Sequence, residues 1–139
     1  MKPEQKQRLF HAKENIRVAQ LLTNSHFYDI AVSRAYYAML YTAEALLLEQ
    51  TTTIPTQNEA VNSMFAEQFL EKSPLFQPYS IYLDDGLKAR LRADYCHLEQ
   101  ATLAEAKQHT NRAKAFLDLA QHYLEAELVT AEPAEAFAG

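Results

Sequence analysis

Two short segments carry most of the side chains that could do chemistry. The first, LKARLRADYCHLEQ at residues 87–100, places Lys88, Arg90 and Arg92 shortly before His97. A histidine can exchange a proton near neutral pH, and a guanidinium can hold an anionic group through two parallel hydrogen bonds. This locally positive segment is therefore a candidate for acid–base chemistry on an anion.

The spacing within this segment leaves the pairing open. Arg90 and His97 are seven residues apart, so on a continuous helix they share a face but are separated by about 10.5 Å of rise. Arg92 and His97 are five apart and would diverge by roughly 140°, unless the helix ends between them. The alternative interpretation is a basic helix turn with Asp94 as its local counter-ion.

The second segment, DIAVSRAYYAMLYTAEALL at residues 29–47, reads as a helix with polar tips on one side. Arg34, Tyr37, Tyr41 and Glu44 recur at spacings of three and four, so they form one stripe along that helix. The stripe could line a groove that binds a ligand. Alternatively, the tyrosine rings pack while their hydroxyl groups reach water, and the charged ends are simply solvated.

Metal and nucleophile chemistry have weaker support. Asp94 and His97 have the spacing of a metal-ligand pair in a helical bundle, but such a site needs a second pair and further carboxylates on facing helices. Cys96 beside His97 is not a catalytic pair, because neighbours on a helix point apart. The chain has no glycine-rich phosphate loop. We therefore expect neither a metal nor a cofactor.

Composition narrows the class of protein. The chain has 139 residues and a formal net charge of −5, which suits one domain and argues against a general polyanion binder. One cysteine rules out an intrachain disulfide framework and is typical of a reducing compartment. The sequence lacks an apolar leader or a membrane-spanning stretch. We expect a cytoplasmic protein with no membrane contact.

We predict that both segments lie on helices. The chain has two glycines, no tryptophan and many Ala, Leu and Glu residues, and this composition favours helix over sheet. We predict helices over about 3–22, 27–49 and 57–72, a loop at 72–80, a short helix ending near 95, and a last long helix after Thr102. Thr56 with Glu59, and Thr102 with Glu105, have capping-box spacing.

The predicted fold is all-α, an up-and-down antiparallel bundle of four long helices and one short helix, with a domain at 1–128 and a disordered tail at 129–139. The alternative is a bundle whose core is completed only in a dimer. Two features favour dimerisation: a stripe of small residues on the second helix, and more aromatic surface than a small bundle readily hides. The aromatic-rich set is Phe65, Phe69, Leu75, Phe76, Tyr79 and Tyr82.

Three stretches together carry a family resemblance. They are SRAYYAMLYTAEALL at 33–47, RLRADY at 90–95 and AKAFLDLAQHYL at 113–124. The chain resembles the HEPN domain, in particular its small single-domain prokaryotic subfamily, which has a Ser-x-x-Tyr-Tyr-Ala helix and a later Arg-x-x-Ala-Asp-Tyr motif. The resemblance covers nearly the whole chain to about residue 124.

The resemblance implies a helical bundle that is usually dimeric and often encoded beside a small nucleotidyltransferase, with which it can form a toxin–antitoxin pair. Active members of the family are metal-independent RNases that use an arginine and a histidine separated by four to six residues, and two copies of that motif meet at the dimer cleft. In this chain both Arg90 and Arg92 satisfy the spacing to His97.

Two functions follow from the resemblance. One is an RNase toxin with Arg90, Arg92 and His97 as catalytic residues; the other is a non-catalytic protein that binds a nucleotide, RNA or a nucleotidyltransferase. A third, plainer interpretation of the sequence is a dimeric helical scaffold. The candidate binding residues are Arg34, Tyr37, Tyr41, Lys88, Asp94 and Tyr95.

Overall fold

The protein is helical in its computed structural model, which describes residues 1–95 and 100–138, with side chains described as far as residue 126. The helices are α1 (Pro3–Asn24), α2 (Tyr28–Leu47), α3 (Asn58–Phe69), α4 (Gln77–Tyr95) and α5 (Leu103–Ala138), and a 3-10 turn at Pro74–Phe76 precedes α4. No strand occurs in these ranges. The predicted all-α bundle is confirmed.

α4 is longer than predicted, because Pro74 and Pro78 lie in the first turns of helices instead of breaking them. Ser73 accepts a hydrogen bond at its Oγ from the backbone N–H of Leu75 (3.2 Å), which opens the 3-10 turn at Pro74. α4 then begins directly at Gln77 with Pro78 in its first turn, where the missing N–H would have had no helical partner. The short helix of the prediction is therefore a helix of 19 residues.

Of the two predicted helix caps, the one at Thr102 is present and the one at Thr56 is not. Thr102 caps α5, since its Oγ1 accepts a hydrogen bond from the backbone N–H of Glu105 at 3.1 Å. The prediction for Thr56 was wrong, because α3 begins one residue later with Gln57 at the cap position and no side-chain cap hydrogen bond. The domain boundary near residue 128 stays a prediction.

α2 is the central helix, and it packs against α1, α3, α4 and α5. Its small residues bring the neighbouring backbones close, and Ala31, Ala35, Ala38 and Ala45 have no exposed surface. The closest approach is to α4 at Gly86, where a Cβ atom would lie 2.7 Å from Met39 Cε and 3.0 Å from Tyr36 Cδ1. The second segment of the sequence is therefore the core of the bundle.

Both features that favoured a dimer belong to the monomer core instead. The small-residue stripe of α2 is covered by other helices of the same chain, and the phenylalanines of the aromatic-rich set are buried. Phe65, Phe69 and Phe76 contact one another through stacked and edge-to-face rings. Leu75 is the member of that set that stays largely exposed. The homodimer stays a prediction that needs other support.

No helix within the described residues is long and apolar enough to span a bilayer.

Candidate functional site

The two chemically interesting segments meet between α2 and α4, around the ring of Tyr37. The guanidinium carbon of Arg90 lies 5.0 Å from the centre of this ring, and that of Arg34 lies 5.2 Å from it. A cation over an aromatic face is attracted by the electrons of the ring. One half-buried tyrosine therefore holds an arginine from each segment.

Asp94 makes the second connection between the segments. Its Oδ1 accepts a hydrogen bond from Ser33 Oγ on α2 at 3.2 Å. Its Oδ2 lies 3.4 Å from Arg90 Nε, one helical turn earlier on α4. That distance allows an ion pair but is long for a hydrogen bond, and the buried Nε has no hydrogen-bond partner in the described part of the chain. Asp94 thus orients Arg90 without saturating its donors.

Arg90 is therefore a positioned cation. Its side chain is only 18% exposed, and it is held between an aromatic ring and a carboxylate. A small cavity of about 180 Å³ is lined by Ile30, Ser33, Arg34, Tyr37 and Asp94, among others. Two of these residues, Tyr37 and Asp94, contact Arg90. Such a cavity could accept one phosphate or part of a nucleotide, with an arginine and a tyrosine ring at its wall.

Further along α2, the stripe residues Tyr41 and Glu44 contact side chains of α1. The rings of Tyr41 and His11 lie 5.3 Å apart. Glu44 accepts a hydrogen bond from Arg8 Nε at 2.9 Å, and burial raises the pKa of the Glu44 carboxyl in spite of that arginine. Of the two interpretations of the stripe, packing describes Tyr41 and Glu44, whereas Arg34 and Tyr37 line a cavity.

Arg92 and Lys88 face another part of the molecule. Arg92 Nη2 lies 3.0 Å from Glu105 Oε2 on α5, and both basic residues line a groove between α4 and α5. Because they are two residues apart on a helix, Arg90 and Arg92 point in directions that differ by roughly 160°. The predicted single cluster of basic residues is therefore divided between two faces of α4.

The remaining predicted residues have simple placements. Tyr95 is 75% exposed at the end of α4. His97 lies outside the described residues, together with its neighbours from 96 to 99.

Sequence reasoning missed two residues. Ser33 belongs to the Ser-x-x-Tyr-Tyr-Ala motif, and its spacing of four from both Asp29 and Tyr37 puts it on the same side of α2 as the polar stripe. Its partner Asp94 lies 61 residues later in the chain, so local spacing could not predict this contact. His109 belongs to neither candidate segment of the sequence, and it lies buried in the wall of the α4–α5 groove. No local pattern predicted that second placement.

Comparison with known proteins identifies the protein family. The sequence matches the model of the HEPN domain over residues 5–125. The chain belongs to the HEPN domain family. The match includes α2, α4 and most of α5. The residues that meet between α2 and α4, here called the α2–α4 site, therefore all lie inside the HEPN domain; they are Ser33, Arg34, Tyr37, Arg90 and Asp94.

Curated relatives of this HEPN protein come from archaea and bacteria. It is 33% identical to "Putative toxin MJ0142" of Methanocaldococcus jannaschii over 113 residues, which cover 81% of this chain and 76% of that protein. It is 32% identical to "Putative toxin MJ0605" of the same organism, over 77% of this chain and 78% of that protein. It is 31% identical to a UPF0332 protein of Gloeobacter violaceus, over 68% and 75% of the two chains.

Proposed function

We propose that this HEPN domain protein is a toxin-like, metal-independent endoribonuclease whose reaction takes place at the α2–α4 site. The main support for the proposal is that the two motifs meet at Arg90, which contacts Tyr37 of α2 and Asp94 of α4. Two archaeal relatives with toxin in their names support the toxin-like role. His97, seven residues after Arg90, is the proposed general base.

The chemistry needs two groups. His97 takes the proton from a ribose 2′-hydroxyl, the 2′-oxygen bonds to phosphorus, and the bond from phosphorus to the 5′-oxygen breaks as that oxygen takes a proton from water. The products are a 2′,3′-cyclic phosphate and a 5′-hydroxyl end. Arg90 offsets the negative charge that builds on the phosphate oxygens, and a fixed guanidinium does so without reorganising during the reaction.

The first experiment asks whether the protein cuts RNA at all. Purified protein is incubated with single-stranded RNA in the presence of EDTA, and the new ends are analysed. We expect cleavage with 2′,3′-cyclic phosphate ends, and no cleavage by His97→Ala at an unchanged melting temperature. Equal cleavage by the two proteins would assign the activity to a contaminant and contradict the proposal.

A second candidate function is RNA binding without cleavage. It is favoured by the contacts of Arg34 and Arg90 with the Tyr37 ring, because cations and an aromatic face form a binding surface with no need for a base. In that case RNA binding is the same for wild type and His97→Ala, and neither protein cuts. The two functions are thereby separated in one pair of assays.

We also propose a homodimer, and a small nucleotidyltransferase as a possible protein partner. Several exposed apolar residues support the homodimer, because they lie at the end of the bundle where α2 begins and α4 ends, next to the α2–α4 site. They are Phe27, Ile30, Leu91 and Tyr95. A second copy that covers them would bring two such sites together. Co-purification with the product of a neighbouring nucleotidyltransferase gene tests the other partner.

A further inference from the structure

The groove between α4 and α5 lies on the face of α4 away from the proposed RNA site. Its volume is about 300 Å³. Asp85, Lys88 and Arg92 line it from α4, and Glu105, His109 and Arg112 line it from α5. Within each set the spacing is three or four residues, so each helix contributes one continuous face. The groove is at the lower end of the volumes of small-ligand sites.

The groove has an excess of positive charge. Among the described residues, three cationic side chains and two carboxylates line it, which leaves 3 − 2 = +1 in a chain whose net charge is −5. Arg92 pairs with Glu105 at 3.0 Å, and Arg112 pairs with Asp85 at 3.3 Å. No ion pair of Lys88 occurs within residues 1–95 and 100–126. Within this part of the chain, Lys88 is therefore a groove cation that no carboxylate compensates.

Arg112 is held in place from two sides. Its Nη1 donates to Asp85, and its guanidinium carbon lies 4.1 Å from the centre of the Tyr82 ring. A guanidinium has five N–H donors, so a contact through one nitrogen leaves others for a ligand. An anion in the groove would meet a guanidinium that is already oriented.

His109 supplies the second, independent observation. Its side chain is buried, with 5% of the residue exposed, and its Nδ1 has no hydrogen-bond partner among the described residues. Burial lowers the pKa of His109, and the nearby Arg112 lowers it further, so the folded protein favours the neutral ring. Buried polar atoms in native proteins nearly always have a partner, and a ligand can provide it.

We propose that the α4–α5 groove binds a phosphate dianion, either free or as a phosphomonoester, through Lys88, Arg112 and His109. This site is separate from the RNA site, and its ligand is a small molecule. The two carboxylates keep the arginines oriented, and the anion adds the charge that balances Lys88. Neutral ligands of the same size lack that attraction.

The experiment is a titration of the isotope-labelled full chain with inorganic phosphate, followed through the side-chain NMR signals of His109 and Arg112. We expect both signals to shift and saturate, and chloride at the same ionic strength to leave them in place. Lys88→Ala should weaken phosphate binding about tenfold, as expected for one charge-assisted contact. Lys88 is exposed, so this variant keeps the fold.

The matched control is Lys114→Ala, which removes the same charge from the exposed side of α5 and should bind phosphate like the wild type. A simple alkyl phosphate is tested in parallel: tighter binding than inorganic phosphate identifies a phosphomonoester as the occupant, and equal binding identifies free phosphate. Signals that do not move, or an equal affinity of wild type and Lys88→Ala, would overturn the proposal. Loss of RNA cleavage has no bearing on this result.

Discussion

Tyr37 is the residue that connects the two charged segments, because Arg34 and Arg90 both lie over its ring. The ring, not the hydroxyl group, makes these contacts. We therefore predict that Tyr37→Phe binds single-stranded RNA like the wild type, whereas Tyr37→Leu binds it about tenfold more weakly, because loss of the ring removes two cation–π contacts of about 0.5–1 kcal/mol each that hold the arginines in place. Fluorescence anisotropy with labelled RNA measures both. Wild-type affinity in Tyr37→Leu would exclude this ring as a binding surface.

His109 predicts a pH dependence of stability. Its pKa is lowered by burial and by Arg112 and Arg92, against the opposite effect of Glu105 and Asp85. The unfolded chain therefore binds a proton at His109 more readily than the folded chain does. Stability contributed by the neutral ring is complete above the ordinary histidine pKa of about 6.5 and is lost as the pH falls below it.

Urea unfolding at about pH 7.5 and about pH 5.5 measures this loss. We expect it to be smaller in His109→Gln than in the wild type. His122→Gln, an exposed histidine of the same helix, is the control and should keep the wild-type loss. An equal loss in His109→Gln would assign the pH dependence to other groups.

At the scale of the helices, the approach of α2 and α4 at Gly86 fixes the geometry of the site. The space for a side chain there is taken by Met39 and Tyr36. We predict that Gly86→Val destabilises the protein by about 1–3 kcal/mol through overpacking. Ala115→Val, at an exposed position of α5, should cost at most about 0.7 kcal/mol from helix propensity. Denaturant unfolding compares the two, and equal costs would mean that α2 and α4 have room to separate.

The sequence was informative about helices and less so about what their faces contact. Composition and periodicity predicted an all-α bundle, and Thr102 predicted the start of α5. The loop predicted around Pro74 and Pro78 was wrong in part, because a proline in a first helical turn looks the same in sequence as one that breaks a helix.

Except for Ser33, the residues of the α2–α4 site could be predicted from the sequence, but most of the contacts between them could not. Arg34, Tyr37, Arg90 and Asp94 were all candidates, and they do meet. The separation of Arg90 from Arg92 follows from helix geometry once α4 is known to be continuous through both. The contact of Ser33 with Asp94 joins helices that are far apart in the chain, and such pairings depend on tertiary packing.

At the scale of the whole molecule, the exposed apolar end of the bundle predicts association. Phe27 and Tyr95 are 56% and 75% exposed beside the α2–α4 site. We predict a dimer at micromolar concentration by sedimentation equilibrium, and a shift towards monomer in Phe27→Glu, which places a charge in the interface. Leu75→Glu is the control, because Leu75 is as exposed but precedes the opposite end of α4. A wild-type monomer would contradict the dimer.

The proposal that RNA is cut at the α2–α4 site is tested most directly by comparing two arginine variants in the RNA cleavage assay. Arg90→Ala and Arg92→Ala remove the same charge from positions two residues apart, but only Arg90 contacts Tyr37 and Asp94, while Arg92 pairs with Glu105. We predict that Arg90→Ala lowers the cleavage rate by about 10²-fold or more and that Arg92→Ala cleaves within a few-fold of the wild type. The reverse order, with Arg92→Ala inactive and Arg90→Ala active, would contradict the assignment of the reaction to this site.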